Sequence, residues 1–379
     1  MLEDRLLNDA EFVFLMTQEF CEGSAKLVLK LGDVASKQLD VFYNAHMQHN
    51  RDVSLAILRR YVSHFTKDEV HVLLPLAGSG VRGVRIIKEV PNTIVHFNDK
   101  DDLAVRAIKK HAELNEIDSQ KYTISQQDAS QFLLSQIKGD YIDIDPFGSP
   151  NPFLDNSIRM LSRGGIIGVT ATDTAPLCGA YTLPCLRKYD ARPHNGPMCQ
   201  EIGLRILIRK VQLVGAQNDK ALVPLFCYPK DHYMRVYFIC SKSKETCDKL
   251  LSQHQYINFA KNELKYTISA NNEGIFAGPL YTGPLFDTHF CDDSFFADLS
   301  DSTSEKKWVE FIKRESRYSV FGYYDIHSVA QKEGVANMPN MQKIISKVES
   351  AGFIAVRTAF NLEAIRTDMP YDEFVKILQ

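Results

Sequence analysis

Residues 71–85 read HVLLPLAGSGVRGVR, a short apolar, β-branched run that breaks at Pro75 and passes through three glycines into a helical pattern. Gly78, Gly80 and Gly83 fall as G-x-G-x-x-G at that join. Glycine tolerates the positive φ of such a turn and lets the backbone approach a bound nucleotide closely. The pattern then repeats: TIVHFND at 93–99, YIDID at 141–145 and GIIGVTATD at 165–173 are further strand-like runs. Between the first two of these, Leu103, Ala104, Ala107, Ile108 and Leu114 recur at helical spacing, so DDLAVRAIKKHAELN reads as an amphipathic helix. Such alternation predicts a parallel sheet wrapped by helices, an α/β domain.

Beyond this region QEIGLRILIRKVQLVGAQ, at 200–217, reads as another helix, and ALVPLFCYP and YMRVYFICS as two strands able to close the sheet as an antiparallel edge. The polar stretch SKSKETCDK, 241–249, marks a boundary. We therefore expect a domain over residues 1–245 and a smaller α+β domain over 246–379. In the latter, FGYYDIHSVAQKEGV, MQKIISKVESAG and FIAVRTAFN give two helical patterns and a strand, winged-helix-like in part, although many small α/β modules share that pattern.

A chain of 379 residues suggests two cores, and 45% hydrophobic with 24% charged residues excludes disorder and fibrous repeats. The net charge of −3 gives no global attraction to phosphate, so nucleic-acid binding would need a local basic surface. Arg187, Lys188, Arg192, Arg205, Arg209 and Lys210 are candidates for it, with ordinary solvated charges as the alternative. The N-terminus, MLEDRLLNDAEFVFLM, lacks the basic start of a secretory leader, and no uncharged apolar stretch approaches the ~18 residues that span a bilayer. A cytoplasmic protein is expected. The eight cysteines form no C-x-x-C pair, so no disulfide scaffold and no metal are assigned.

Asp99 ends the second strand about twenty residues after the glycine turn, where a carboxylate can accept both hydroxyls of a ribose. That geometry selects a ribose and not a reaction, because adenosylmethionine and NAD enzymes share it, and a helix cap would look the same. Asp128, in QQDAS before another helix, could sit beside an adenine amino group or simply cap that helix.

The discriminating run is YIDIDPFGSP, which places Asp145-Pro146-Phe147 at a strand end. It resembles the D/N-P-P-Y/F pattern of enzymes that methylate amino groups of planar bases. An exocyclic amine gives its lone pair to the ring and stays a poor nucleophile until acceptors hold its N–H groups and take the released proton. Asp145 supplies a carboxylate acceptor; Pro146, without an N–H, offers a carbonyl with no competing donor; Phe147 can stack on the base. The methylated amine is acidic, so an ordinary carboxylate suffices. A plain turn, built from the usual Asp, Pro, Gly and Ser, is the structural alternative.

The whole chain resembles the tRNA (guanine-N2)-dimethyltransferase family, which acts on the guanosine at position 26 of tRNA. VFYNAHMQHNRDVS at 41–54 is similar to the family's F-Y-N-P-x-x-x-x-N-R-D block and DPFGSPNPFLD to its D-P-[YF]-G-S-P block. VTATDTAPLCG, RKYDARP, GLRIL, GPLYTGPL and RTDMPYD follow in family order. The resemblance implies a class I, Rossmann-like S-adenosylmethionine-dependent methyltransferase domain and a C-terminal tRNA-binding domain. The implied product is N2-methyl- and N2,N2-dimethylguanosine, with S-adenosyl-L-methionine as cofactor, tRNA as partner and no obligatory protein partner. It further implies that Arg51 contacts the methionine part of the cofactor with Arg82 nearby. Gly78 and Gly80 would line the cofactor, and Asp99, Asp128 and Ala129 would hold its ribose and adenine. Asp145 would be catalytic, with Pro146 beside it, and Phe42 and Phe147 would sandwich the target guanine. Two departures stand out: Ala45 replaces the family's usual proline, which would loosen the loop carrying Arg51, and the four-cysteine zinc site of some members is absent. Amino-group methylation of another RNA or DNA base, and a non-catalytic nucleotide-sensing nucleic-acid binder, are the competing readings.

Overall fold

The run Val70-His-Val-Leu-Leu74 is buried at four of its five positions, as a strand covered on both faces must be. In the computed structural model, which describes residues 17–30, 43–64, 67–135 and 137–379, it lies at the heart of a parallel sheet. Phe42 and the N-terminal stretch MLEDRLLNDAEFVFLM lie outside the described residues. The contacts divide the chain into two compact units, Met1–Asp143 and Ile144–Gln379.

In the first unit, β1 (Thr17–Glu22) and β2 (Ala25–Lys30) form an antiparallel hairpin. There follow α1 (Gln48–His64), β3 (Val70–Leu74), α2 (Val81–Glu89), β4 (Thr93–Asn98), α3 (Asp102–Leu114), β5 (Tyr122–Ser125), α4 (Ala129–Ser135) and β6 (Gly139–Ile144). β3 pairs in parallel with β4 on one side and β6 on the other, and β5 extends the sheet beyond β4. The chain order reverses at β3, and in open α/β sheets ligands bind outside the carboxyl ends of the strands at such a point. Gly83 explains how tightly α2 seats on the sheet: a Cβ there would come 2.1 Å from the Phe97 ring of β4. Ala25 and Leu27 of β2 pack with Val81 and Val84 of α2, so the hairpin covers the outer side of that helix.

The second unit begins with α5 (Asn151–Met160), β7 (Leu161–Ala171), α6 (Thr174–Leu177), α7 (Thr182–Tyr189), α8 (Cys199–Ala216), β8 (Ala221–Lys230) and β9 (Tyr233–Ser241). β9 pairs antiparallel with β7 and β8, the edge expected from the sequence. Pro224 sits beside a register shift in β8, the edge strand, where a missing N–H is tolerated. SKSKETCDK does not stay irregular: Ser243 caps α9 (Lys244–Ser252) by accepting from Thr246 N. β10 (His254–Phe259), β11 (Tyr266–Ser269) and β12 (Ile275–Tyr281) form a three-stranded antiparallel sheet.

The last elements are α10 (Asp293–Ser302), α11 (Lys306–Glu315), β13 (Tyr324–Asp325), α12 (Ile326–Glu333), α13 (Met341–Ser350), β14 (Val356–Arg357), β15 (Ala364–Arg366) and α14 (Tyr371–Leu378). Asp325 and Asn340 cap α12 and α13 by accepting from Ser328 N and Lys343 N. Gly334, at φ 68°, ends α12. Ile326, Val329, Ile344, Val348, Phe374 and Leu378 bury one core beneath an antiparallel sheet of order β13-β15-β14. Two capped helices followed by a strand pair joined by a short loop have the winged-helix arrangement, with only residues 356–357 of the FIAVRTAFN run in the strand. No helix among the described residues is long and apolar enough to cross a membrane.

Candidate active site

The cofactor candidates gather at the carboxyl ends of β3, β4 and β5. Gly78 and Gly80 adopt φ of 53° and 77°, the left-handed region that only glycine enters without strain. Through this turn Gly78 N donates to Asp99 Oδ2 at 2.9 Å, and Asp101 N donates to Asp99 Oδ1 at 3.1 Å. The cap of α3 is Asp101, which accepts from Leu103 N; Asp99 is thereby excluded as the helix cap and is held, half-buried, facing the glycine turn. Asn98 ties the strand ends together: its amide donates to Pro75 O and Gln127 O, each at 3.0 Å, and its oxygen accepts from Gln127 N at 3.1 Å. Asp128 follows at once, an exposed residue that accepts from Ser130 N at 2.8 Å, with Ala129 buried behind it. Asp128 is thus a cap, and capping one N–H leaves a carboxylate with further acceptor capacity.

Arg51 and Arg82 are both buried, at 5% and 9% exposure, in a polar network that sequence reasoning did not foresee. Arg51 donates from Nε to Glu22 Oε1 at 2.7 Å, from Nη2 to Glu22 Oε2, and from Nη2 to Asn44 O at 3.1 Å. Its guanidinium lies over the Tyr43 ring, 5.2 Å from the centroid. Arg85 donates from Nη1 to Glu22 at 3.0 Å and to Asp52 at 2.7 Å, and from Nε to Glu89 at 2.9 Å. Burial pushes the Glu22 carboxyl up, but Arg51 and Arg85 together hold it below the usual range. At Asp52 burial outweighs the opposing charge of Arg85, its hydrogen-bond partner, and the group is raised. Arg82 bonds Ser54 Oγ at 2.5 Å and Asn50 Oδ1 at 3.0 Å, and its Nε lies 3.5 Å from Asp143. Ala45 opens a short 3-10 turn capped by Asn44, which accepts from His46 N at 2.9 Å; with Glu22 this holds the segment carrying Arg51 without a proline. Glu22 lies outside every sequence motif, and its partner is 29 residues away in the chain.

In the second unit, Asp145-Pro146-Phe147 directly follows β6. Asp145 is half-buried, Pro146 buried, and the Phe147 ring 59% exposed. Gly148, at φ 85°, turns the chain, and it exchanges two bonds with Thr172: Gly148 N to Thr172 Oγ1 at 2.6 Å and Thr172 N to Gly148 O at 3.0 Å. A chain of hydroxyls then anchors the loop to α7. The Tyr189 hydroxyl donates to Asp173 at 2.7 Å, so it accepts from Ser149 Oγ at 3.1 Å. Burial first, and the Asp173 charge second, push the Tyr189 phenol up and keep it a donor. Lys188 Nζ adds a 3.0 Å contact to Asp173, and Asn151 Nδ2 donates to Lys188 O at 2.7 Å. Thr172 and Asp173 belong to the VTATDTAPLCG block, Tyr189 to RKYDARP and Ser149 to DPFGSP, and nothing in their spacing marks the bonds that join them.

The basic candidates divide sharply. Arg205 is buried, bonded to Glu201, Tyr281 O and Gly283 O, and Arg209 is buried and bonded to Tyr189 O and Asp190 O, so neither is the solvated surface charge the sequence suggests. Arg187, Lys188 and Arg192 are exposed, and Lys210 is half-buried.

Residues 23–379 match the family model described as N2,N2-dimethylguanosine tRNA methyltransferase. A relative in Methanocaldococcus jannaschii, named tRNA (guanine(26)-N(2))-dimethyltransferase, is 36% identical over 362 residues, covering 90% of this chain and 96% of its own. One in Aquifex aeolicus, named tRNA (guanine(26)-N(2)/guanine(27)-N(2))-dimethyltransferase, is 32% identical over 94% of this chain and 95% of its own. Among solved structures, Trm1 from Pyrococcus horikoshii in complex with S-adenosyl-L-methionine superposes with a TM-score of 0.84 at 29% identity, covering 96% of this chain and all of that one.

Proposed function

The chain belongs to the N2,N2-dimethylguanosine tRNA methyltransferase family, and on that footing we propose that it transfers methyl groups from S-adenosylmethionine to the 2-amino group of guanosine 26 in tRNA. The products are N2-methyl- and N2,N2-dimethylguanosine. The observation that carries this reading is the Asp145-Pro146-Phe147 loop, in which a half-buried carboxylate stands beside an exposed aromatic face at the end of a buried strand.

The residues at the strand ends fit S-adenosylmethionine. Glycines in the left-handed region leave room for a nucleoside, and Asp99, oriented by Gly78 N, offers acceptors suited to a ribose diol. Asp128 and Ala129 serve the adenine, and Arg51 with Arg82 the methionine end. When bound, the cofactor supplies an electrophilic methyl group. Asp145 and the Pro146 carbonyl accept the two N–H groups of the guanine amine, which frees its lone pair from the ring. Asp145 would take the amine proton as the N–C bond forms at the expense of the methyl–sulfur bond, and would pass it to solvent; once S-adenosylhomocysteine has left and a second cofactor molecule has bound, the same residues would act on the remaining N–H. Phe147, with Phe42 as its partner, holds the base plane after the guanine has left its stack.

We assign the methyltransferase domain to residues 1–245 and tRNA binding to 246–379, with tRNA as the macromolecular partner and the cytoplasm as the place of work. Incubating the protein with unmodified tRNA and S-adenosylmethionine, digesting the product to nucleosides and weighing them tests the reading. N2-methylated guanosines should appear, and should not when guanine 26 is replaced by adenine. Methyl groups on a different base would overturn it.

A further inference from the structure

A cavity of about 350 Å³ opens between α11, α13 and β14, and none of the residues placed at the methylation site lines it. Its size is in the range that accepts a nucleotide-sized ligand. Three guanidiniums line it: Arg314 in the last turn of α11, Arg317 just beyond that helix, and Arg357 on β14. The aromatic rings of Phe311 and Tyr318 share the same wall. Among the described residues, Glu349, on the α13 side, is the single carboxylate of the lining.

The three arginines differ in how they are held. Arg357 lies over the Phe311 ring, 4.6 Å from its centroid, and donates from Nη2 to Leu362 O at 2.7 Å, so its plane is fixed before any ligand arrives. Its Nε is buried with no hydrogen-bond partner among the described residues, an unmet donor in a groove wall. Arg317 contacts Asp293 at 3.1 Å, but Asp293 also takes Lys313 at 2.8 Å and is exposed, so that charge is shared and screened. Arg314 is exposed and pairs with no carboxylate among the described residues. Tyr318 leaves 39% of its surface to solvent beside them. α13 is the second helix of the helix-turn-helix and β14 the first strand of the wing, the two elements such modules turn toward nucleic acid.

We propose that this groove binds one phosphodiester-linked nucleotide of the tRNA substrate, outside the methylation site. Arg314 and Arg317 take the phosphate, Tyr318 stacks on the base, and Glu349 accepts from a base amino group or a ribose hydroxyl. The proposal rests on the tRNA reading above. It also resolves how a chain with net charge −3 grips a polyanion, through a concentrated cationic groove and not a general positive surface.

The test uses the full-length Arg314→Glu and Tyr318→Ala variants, both at exposed positions, with Arg314→Lys as the charge-conserving control. tRNA affinity is measured across a salt series, alongside kcat and KM for methylation and calorimetric titration of S-adenosylhomocysteine. Arg314→Glu should weaken tRNA binding about tenfold or more and lower the slope of log affinity against log salt by about one. KM should rise with kcat and cofactor affinity unchanged, and Arg314→Lys should restore most of the loss. A merely structural residue would not change the salt slope. Guanosine monophosphate is titrated in parallel: binding that Arg314→Glu abolishes, with tRNA affinity unaltered, would make the groove a free-nucleotide site and overturn the proposal. Unchanged tRNA affinity with no nucleotide binding overturns it as well. Failure of the wild-type protein to methylate tRNA would instead count against the family reaction, since the binding measurements stand without turnover.

Discussion

Asp143 is the next-to-last residue of β6 and Asp145 follows the strand's end, and their surroundings give them different work. Asp143 is 3% exposed, accepts from the Tyr141 hydroxyl at 2.6 Å and lies 3.5 Å from Arg82, which commits it to the interior. Asp145 is half-buried just past the strand, where a substrate can reach it. Asp145→Ala should therefore lower turnover by ~10²-fold or more while leaving S-adenosylhomocysteine affinity nearly intact. A variant with full activity would reduce Asp145 to a turn residue. Phe147→Leu removes a π-face from an exposed position, so stability should hold while kcat/KM on tRNA falls by ~5- to 150-fold, the equivalent of ~1–3 kcal/mol of stacking. A parallel loss of melting temperature would place the ring in the core instead.

Helix α2 depends on a glycine that has no conformational reason to be one. Gly83 is helical, and alanine there would gain about 1 kcal/mol of helix propensity in an exposed setting. Here its Cβ would meet the ring of Phe97 at 2.1 and 2.4 Å and Leu74 at 2.9 Å, and Phe97 is fully buried with nowhere to turn. Overpacking of that kind costs ~1–3 kcal/mol, so Gly83→Ala should lower the urea midpoint. It should also weaken cofactor binding, because moving α2 off the sheet displaces the turn at Gly78 and Gly80. An unchanged midpoint would show that the helix can shift without cost.

Across the second unit, segments distant in sequence meet in one buried ion cluster. Arg366 of the RTDMPYD block donates to Glu201 Oε2 at 2.9 Å and from Nε to Glu315 Oε1 at 2.8 Å, and Glu201 also accepts from Arg205 at 2.8 Å. Burial would raise the Glu201 carboxyl, but Arg366 and Arg205 outweigh it and bring the group to about 2. The GPLYTGPL segment is drawn in too, through Arg205 to Tyr281 O and Gly283 O, and through Gly278 and Arg192, which exchange backbone bonds at 2.7 and 2.8 Å. These blocks thus join α8 to the winged-helix elements. Arg366→Ala would leave two buried carboxylates short of their cation and should cost ~3–5 kcal/mol in chemical denaturation. Replacing the exposed Glu373 by alanine should cost almost nothing.

The alternation of short apolar runs with 3.6-residue periodicity determined the α/β sheet, its antiparallel edge and the helix pair near the C-terminus, because local patterning encodes which face is buried. The glycine spacing and the D-P-F run were likewise legible, since each is a contiguous segment with its own backbone demand. Pairings across the chain were decided only in three dimensions. Asp101 and not Asp99 caps α3, Glu22 holds Arg51, and Arg205 and Arg209 point inward despite reading as surface charge. A charged side chain in a sequence carries no mark of whether it will meet water or a partner. Its burial becomes affordable only when the fold brings an opposite charge or a carbonyl to it from far along the chain, as Arg366 meets Glu201 across 165 residues.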